Sequence, residues 1–149
     1  TKLYGPAEVN AYVVIDGKKV IDDGHKLTIK ANIVEDFSEM TQEQKQQAPI
    51  LECESEINAG KFAAGKVHKY NLPIKNSGVN PLEVRRVYSV EKNLVCKAPK
   101  AIKSGKKGAI NVEINAKALN SGNYSREIIL ITNDYLHSIK KIKLDFAVE

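Results

Sequence analysis

The sequence predicts an all-β fold: an antiparallel β-sandwich preceded by a β-hairpin element and a short helical connector. Three observations carry that expectation. From Tyr70 to Val148, apolar residues occupy every second position of several short runs: Leu72/Ile74, Ile110/Val112/Ile114, Ile128/Leu130 and Ile142/Leu144/Phe146/Val148. Such alternation lines one face of a pleated strand and leaves the other face wet. Turn residues, Asn76-Ser77-Gly78 and Ser104-Gly105 among them, separate the runs. The runs amount to about seven strands in roughly 100 residues, the size of an immunoglobulin-like sandwich.

The first piece of the chain, residues 1–34, carries two strand patterns. Val9, Ala11, Val13 and Ile15 alternate in one, and Leu27, Ile29, Ala31 and Ile33 in the other, with Lys26, Thr28, Lys30 and Asn32 facing outward. Asp16-Gly17 and Asp22-Asp23-Gly24 lie between them and supply turn chemistry, so a hairpin with a long or folded tip is expected. The second piece, residues 35–49, is polar and rich in Gln and Glu. Its Thr41-Gln42-Glu43-Gln44 fits a capping box, predicting one or two helical turns that stop before Pro49.

Residues 50–149 form the predicted sandwich. An opening strand around 50–57 is followed by turns at Gly60 and Gly65 and a strand over about 67–75. Pro73 cannot donate to a ladder, which places that strand at an edge or gives it a bulge. Strands at Leu82–Tyr88 and Leu94–Lys97, a loop through Ser104-Gly105 and Gly108, and strands at 109–116, 124–132 and 139–148 complete the set.

Thirty-four residues cannot build their own core, and an isolated hairpin is marginal in water. The apolar stripe of the first piece must therefore meet the sandwich, a partner copy or an upstream domain. Residues 26–35 (KLTIKANIVE) also resemble residues 141–149 (KIKLDFAVE). Two readings stay open: an internal repeat, with residues 1–34 as the last strands of a preceding sandwich, or chance similarity between two alternating strands.

Four segments, in order, carry a family resemblance: Leu72-Pro73-Ile74-Lys75-Asn76-Ser77-Gly78; Pro81-Leu82-Glu83-Val84-Arg85-Arg86-Val87; residues 104–112 (SGKKGAINV); and residues 122–133 (GNYSREIILITN). Together they resemble the bacterial domain-of-unknown-function family 1573, an immunoglobulin-like group akin to the Hydin and ASPM-type domains. Where that family carries a Ser-Cys-Gly-Cys cluster, this chain has Ser89-Val90-Glu91-Lys92-Asn93, and Cys96 comes later. Any thiol or metal role of the cluster is therefore not transferable. The resemblance implies tandem occurrence and an extracytoplasmic address in the Gram-negative envelope, periplasmic or outer-membrane-associated, and brings no assigned activity.

Composition excludes several function classes. The chain has 149 residues, 42% hydrophobic and 28% charged, which is ordinary for a folded domain. Its longest unbroken aliphatic run, Ile128–Ile131, is far too short to cross a membrane. No signal-like region opens at Thr1, so targeting information is expected to lie outside this sequence. The net charge of +5 comes almost wholly from lysine, with arginine only at Arg85, Arg86 and Arg126. Lysines on outward strand positions, such as Lys141 and Lys143, serve solubility and edge protection, and no nucleic-acid partner is expected.

No motif nominates a catalytic, cofactor-binding or metal-ligating residue. His25, His68 and His137 share no ligand spacing. Asp16, Asp22 and Asp23 read as hairpin turn residues rather than a cation loop, and Glu35-Asp36 as a solvated pair. The cluster Lys97, Lys100, Lys103, Lys106 and Lys107 reads as a solvated loop between strands, and the sequon at Asn123 as accidental. Cys53 and Cys96 suit either two buried thiols or a single bridge. The function expected is a non-catalytic interaction or spacer module, the alternative a strand-exchange assembly protein of chaperone or pilin type. The partners expected are a protein or an upstream immunoglobulin-like repeat, with homodimerisation through the hairpin open.

Overall fold

In the computed structural model, which describes residues 4–149, the chain divides into two units, Thr1–Glu35 and Asp36–Glu149. The first unit is a β-ribbon. β1 (Gly5–Tyr12) leads through β2 (Val14–Ile15) and β3 (Lys18–Lys19) to β4 (Lys26–Ile33), which pairs antiparallel with β1. Asp16 and Gly17 have φ of 49° and 74°, the left-handed pair that joins β2 to β3 in a two-residue turn. A 3-10 turn at Asp23–His25 follows, capped by the Asp22 carboxylate, which accepts the His25 N–H at 2.9 Å.

Opposed residues of an antiparallel pair share a face. Val9 opposite Ile29 and Ala11 opposite Leu27 make one face of the ribbon apolar. The other face is polar: Thr28 Oγ1 donates to Asn10 Oδ1 at 2.8 Å, and Lys30 pairs with Glu8 at 3.5 Å.

The second unit begins with the connector. Thr41 caps α1 (Gln42–Gln46) through the expected capping box: its hydroxyl accepts the Gln44 N–H at 3.2 Å, and the Gln44 side chain accepts the Thr41 N–H at 2.8 Å. The chain then lies across the turn at Ser77-Gly78. Val79 and Asn80 donate to Ala48 O and Gln47 O at 3.2 and 2.9 Å. A Cβ on Gly78 would sit 2.3 Å from Ala48 O, so only glycine lets the two segments approach so closely.

The sandwich is built from β5 (Leu51–Glu52), β6 (Glu56–Phe62), β7 (Val67–Asn76), β8 (Leu82–Tyr88), β9 (Leu94–Lys97), β10 (Ala101–Ile102), β11 (Lys107–Asn115), β12 (Gly122–Thr132) and β13 (Ile139–Val148). One sheet runs β10-β8-β12-β13-β6, and the facing sheet β5-β7-β11-β9. The alternating rungs read from the sequence are the core: Leu72, Ile110, Val112, Ile114, Ile128, Leu130, Ile142 and Leu144 are fully buried. This is an all-β immunoglobulin-like sandwich.

Three local expectations change. The opening strand is broken at Cys53-Glu54-Ser55, so β5 pairs with β7 in one sheet while β6 continues in the other, parallel to β13. Gly60 makes no turn. With φ of 89° it sits where the β6–β13 register shifts, and its N–H donates to Asn58 Oδ1, forming a bulge that bends an edge strand. Gly108 lies within β11 rather than in a loop, and β10, too short to show a pattern, pairs with β8.

Candidate interaction edge

Successive backbone groups of an antiparallel strand point to opposite sides. At the end of β7 the Asn76 N–H donates to Lys106 O at 3.0 Å, and the next, Ser77 N–H, donates to Ile50 O at 3.0 Å beside β5. Carried back along the strand, this alternation turns the backbone groups of Val67, Lys69, Asn71 and Pro73 away from β11. β5 pairs only with Lys75 and Asn76. Among the described residues, no strand meets this side of β7 from Val67 to Ile74. Pro73 is tolerated because its missing donor falls on the unpaired side. Three donors and four carbonyls thus form an open ladder edge, flanked by the charges of Lys69 and Lys75.

Beside this edge, where β5 gives way to β6, lies a groove of about 430 Å³ lined by Leu51, Cys53, Glu54, Pro73, Ile74 and Lys107. At its rim the Lys75 ammonium donates to Glu52 at 2.9 Å and, with a hydrogen bond from Ser77, holds that carboxyl below its ordinary value. Burial pushes the Cys53 thiol up, against a weaker pull from the Lys140 charge. Cys96 on β9 is raised by burial to about 11. Both are free thiols, and thiols held protonated pack rather than attack.

The buried polar residues are committed to the scaffold. Asn76 is fully buried; its Oδ1 accepts the N–H groups of Ile50 and Gly78, and its Nδ2 donates to Asn80 O and Ile102 O. Asp134, equally buried, accepts the Leu51 N–H at 2.9 Å with one oxygen and the Leu136 and His137 N–H groups with the other. Thr132 Oγ1 accepts the Asp134 N–H, while Asn133 exchanges hydrogen bonds with Glu83 and donates to Pro81 O. The Asn76-Ser77-Gly78 and Thr132-Asn133 motifs that carry the family resemblance are therefore clasps between strand ends. The sequence showed them as motif letters, but only the pairing reveals their work.

The other residues weighed from sequence lie apart. His25 bonds to Asp22, and Asp23 pairs with Lys26. His68 meets Ala63 O at 2.7 Å and stacks on Phe62, and His137 lies 4.0 Å from Asp134. Among the described residues, no three His, Cys, Asp or Glu side chains gather to hold a metal ion. Lys97, Lys100, Lys103, Lys106 and Lys107 are exposed, while the backbone carbonyls of Lys100 and Lys106 accept from Val84 and Asn76. A second hollow, of about 590 Å³, spans β6, β13 and β12 around Asn58, Gly60, Asn123, Ser125 and Asp145. Hydrogen bonds from Ser125 and then Lys143 hold the Asp145 carboxyl below its ordinary value. The described residues contain no helix long and apolar enough to cross a membrane.

Residues 49–147 match the model of the HYDIN/CFA65/VesB-like Ig-like domain. Among solved structures, a protein of unknown function from Porphyromonas gingivalis W83 is 20% identical, with a TM-score of 0.70; the match covers 99% of this chain and 68% of that one. The Vibrio cholerae VesB protease is 13% identical with a TM-score of 0.50, covering 66% of this chain and 31% of the protease. The chain thus spans about a third of the protease's length. At such identities the likeness is one of fold. No curated protein matches the chain.

Proposed function

We propose, for a chain that belongs to the HYDIN/CFA65/VesB-like Ig-like domain family, a non-catalytic role as an interaction or spacer module of the bacterial cell envelope. It works by receiving an extended segment of a protein partner on the open edge of β7. The observation that carries this reading is the open side of β7 from Val67 to Ile74, beside a core whose buried Asn76 and Asp134 side chains are already hydrogen-bonded to the scaffold. Main-chain hydrogen bonds would supply the affinity, and the groove at Cys53 and Pro73 would take alternate side chains of the added strand. The finer kinship with domain-of-unknown-function family 1573 and the periplasmic or outer-membrane address belong to this proposal. They rest on the four ordered motifs around β7, β8, β11 and β12.

The test is Asn71→Pro. Its N–H faces the open side, so proline there removes a docking donor and no ladder bond. The variant is expected to keep the unfolding transition of the parent and to lose capture of envelope proteins from a periplasmic fraction. Capture unchanged by the substitution, or turnover of a hydrolase substrate panel by the parent, would contradict the reading. A second reading, strand exchange in the manner of an assembly protein, uses the same edge. A concentration-dependent dimer abolished by Asn71→Pro would favour it.

A further inference from the structure

β1 and β4 repeat the pairing of β12 and β13 position for position. Each pair opens on a glycine with positive φ, Gly5 at 86° and Gly122 at 154°. Each sets that glycine opposite an aliphatic residue near the end of the second strand, Gly5 opposite Ile33 and Gly122 opposite Val148. Counting back by twos, Ala31, Ile29 and Leu27 take the places of Phe146, Leu144 and Ile142. In the sandwich those last three and Val148 are at most 3% exposed. The facing sheet covers them, Leu72, Ile110 and Val112 belonging to the same cluster. In the ribbon the corresponding face is bare: Leu27 is 63% exposed, Ile29 53% and Ile33 38%. The edges differ in the same way. β12 is flanked by β8 and β13 by β6, whereas β1 and β4, among the described residues, pair only with each other.

We propose that β1 and β4 are the terminal strand pair of a second immunoglobulin-like sandwich. Its other strands lie in the part of the full polypeptide that precedes Gly5, and its facing sheet covers Leu27, Ile29 and Ile33. A second copy of the ribbon is a poorer occupant. Two ribbons stacked face to face would cover the apolar side but leave both long edges of each unpaired, whereas a sandwich closes the face and supplies a neighbour for each strand. The inference goes beyond the interaction-module reading and stands independently of it.

The experiment is hydrogen exchange by mass spectrometry on the polypeptide as encoded and on the 149-residue chain, following peptides over 5–12 and 26–33. In the encoded polypeptide these are expected to exchange within about tenfold of the β12–β13 peptides, at every protein concentration. In the 149-residue chain they are expected to exchange about 100-fold faster than β12–β13. Ile29→Lys is expected to abolish the ribbon's protection in the encoded polypeptide while leaving β12–β13 of the 149-residue chain unchanged. Three results would each overturn the proposal: an encoded polypeptide with no sandwich-sized segment before Gly5, ribbon exchange equally fast in both proteins, or protection of the 149-residue chain that rises with concentration.

Discussion

The two strand pairs β1–β4 and β12–β13 have the same register and the same alternation, yet only one has its apolar face covered. Leu144 is fully buried, and Ile29, at the matching place, is 53% exposed. Full burial of such a side chain contributes about 1.5–3 kcal/mol. The stabilising term in β12–β13 therefore comes from the sheet opposite, not from the hairpin. Alternation specifies which face is to be buried, and the facing layer decides whether burial happens.

Truncating the side chain at both positions separates the two strand pairs by the largest margin. Leu144→Ala is expected to destabilise the sandwich by about 2–5 kcal/mol in urea unfolding, because it loses transfer energy and leaves a cavity. Ile29→Ala in the same chain is expected to change that transition by less than about 0.5 kcal/mol. Equal losses would mean that the ribbon's face is covered after all.

A smaller effect is expected at the clasps between the sandwich's strand ends. Asp134→Ala strips the partner from the buried Leu51 N–H and from the Leu136 and His137 N–H groups. It is expected to cost about 1–3 kcal/mol in the same measurement. Asp134→Asn, which keeps one acceptor oxygen, should cost less.

The smallest effect concerns pH. Burial raises the Cys96 thiol from 9.0 to about 11 in the folded chain. Its contribution to stability is full below pH about 9 and is lost as pH climbs toward about 11, because the unfolded thiol gives up its proton first. Denaturant titrations across that window should show a shallow fall that Cys96→Ser flattens. Alkylation of the native protein should stay slow until the same range. Rapid labelling at pH 8 would contradict a half-buried thiol held protonated.

Much of the sandwich was legible in the sequence because its signal is local. The rungs Leu72/Ile74 through Val148 are period-two runs bounded by turn residues, and the Thr41 capping box is a four-residue motif; all appear where expected. What was not legible depends on pairing between distant segments. Gly60 reads as a turn in isolation and becomes a bulge only through its register against β13. β10 is two residues long and exists only by pairing with β8. The open edge of β7 had one sequence clue, Pro73, but its extent follows from where β5 stops pairing. Asn76 and Asp134 look like loop residues until three strand ends converge on them.

The two equivalent strand pairs are unequally covered, and amide exchange by NMR on the 149-residue chain reads that difference residue by residue. The amides of Val9, Leu27 and Ile29 are expected to exchange about 100-fold or more faster than those of Ile128, Ile142 and Leu144, at both low and high protein concentration. Equal protection of the two sets would mean that the ribbon's apolar face already has its covering layer, and that the two strand pairs do not differ as described.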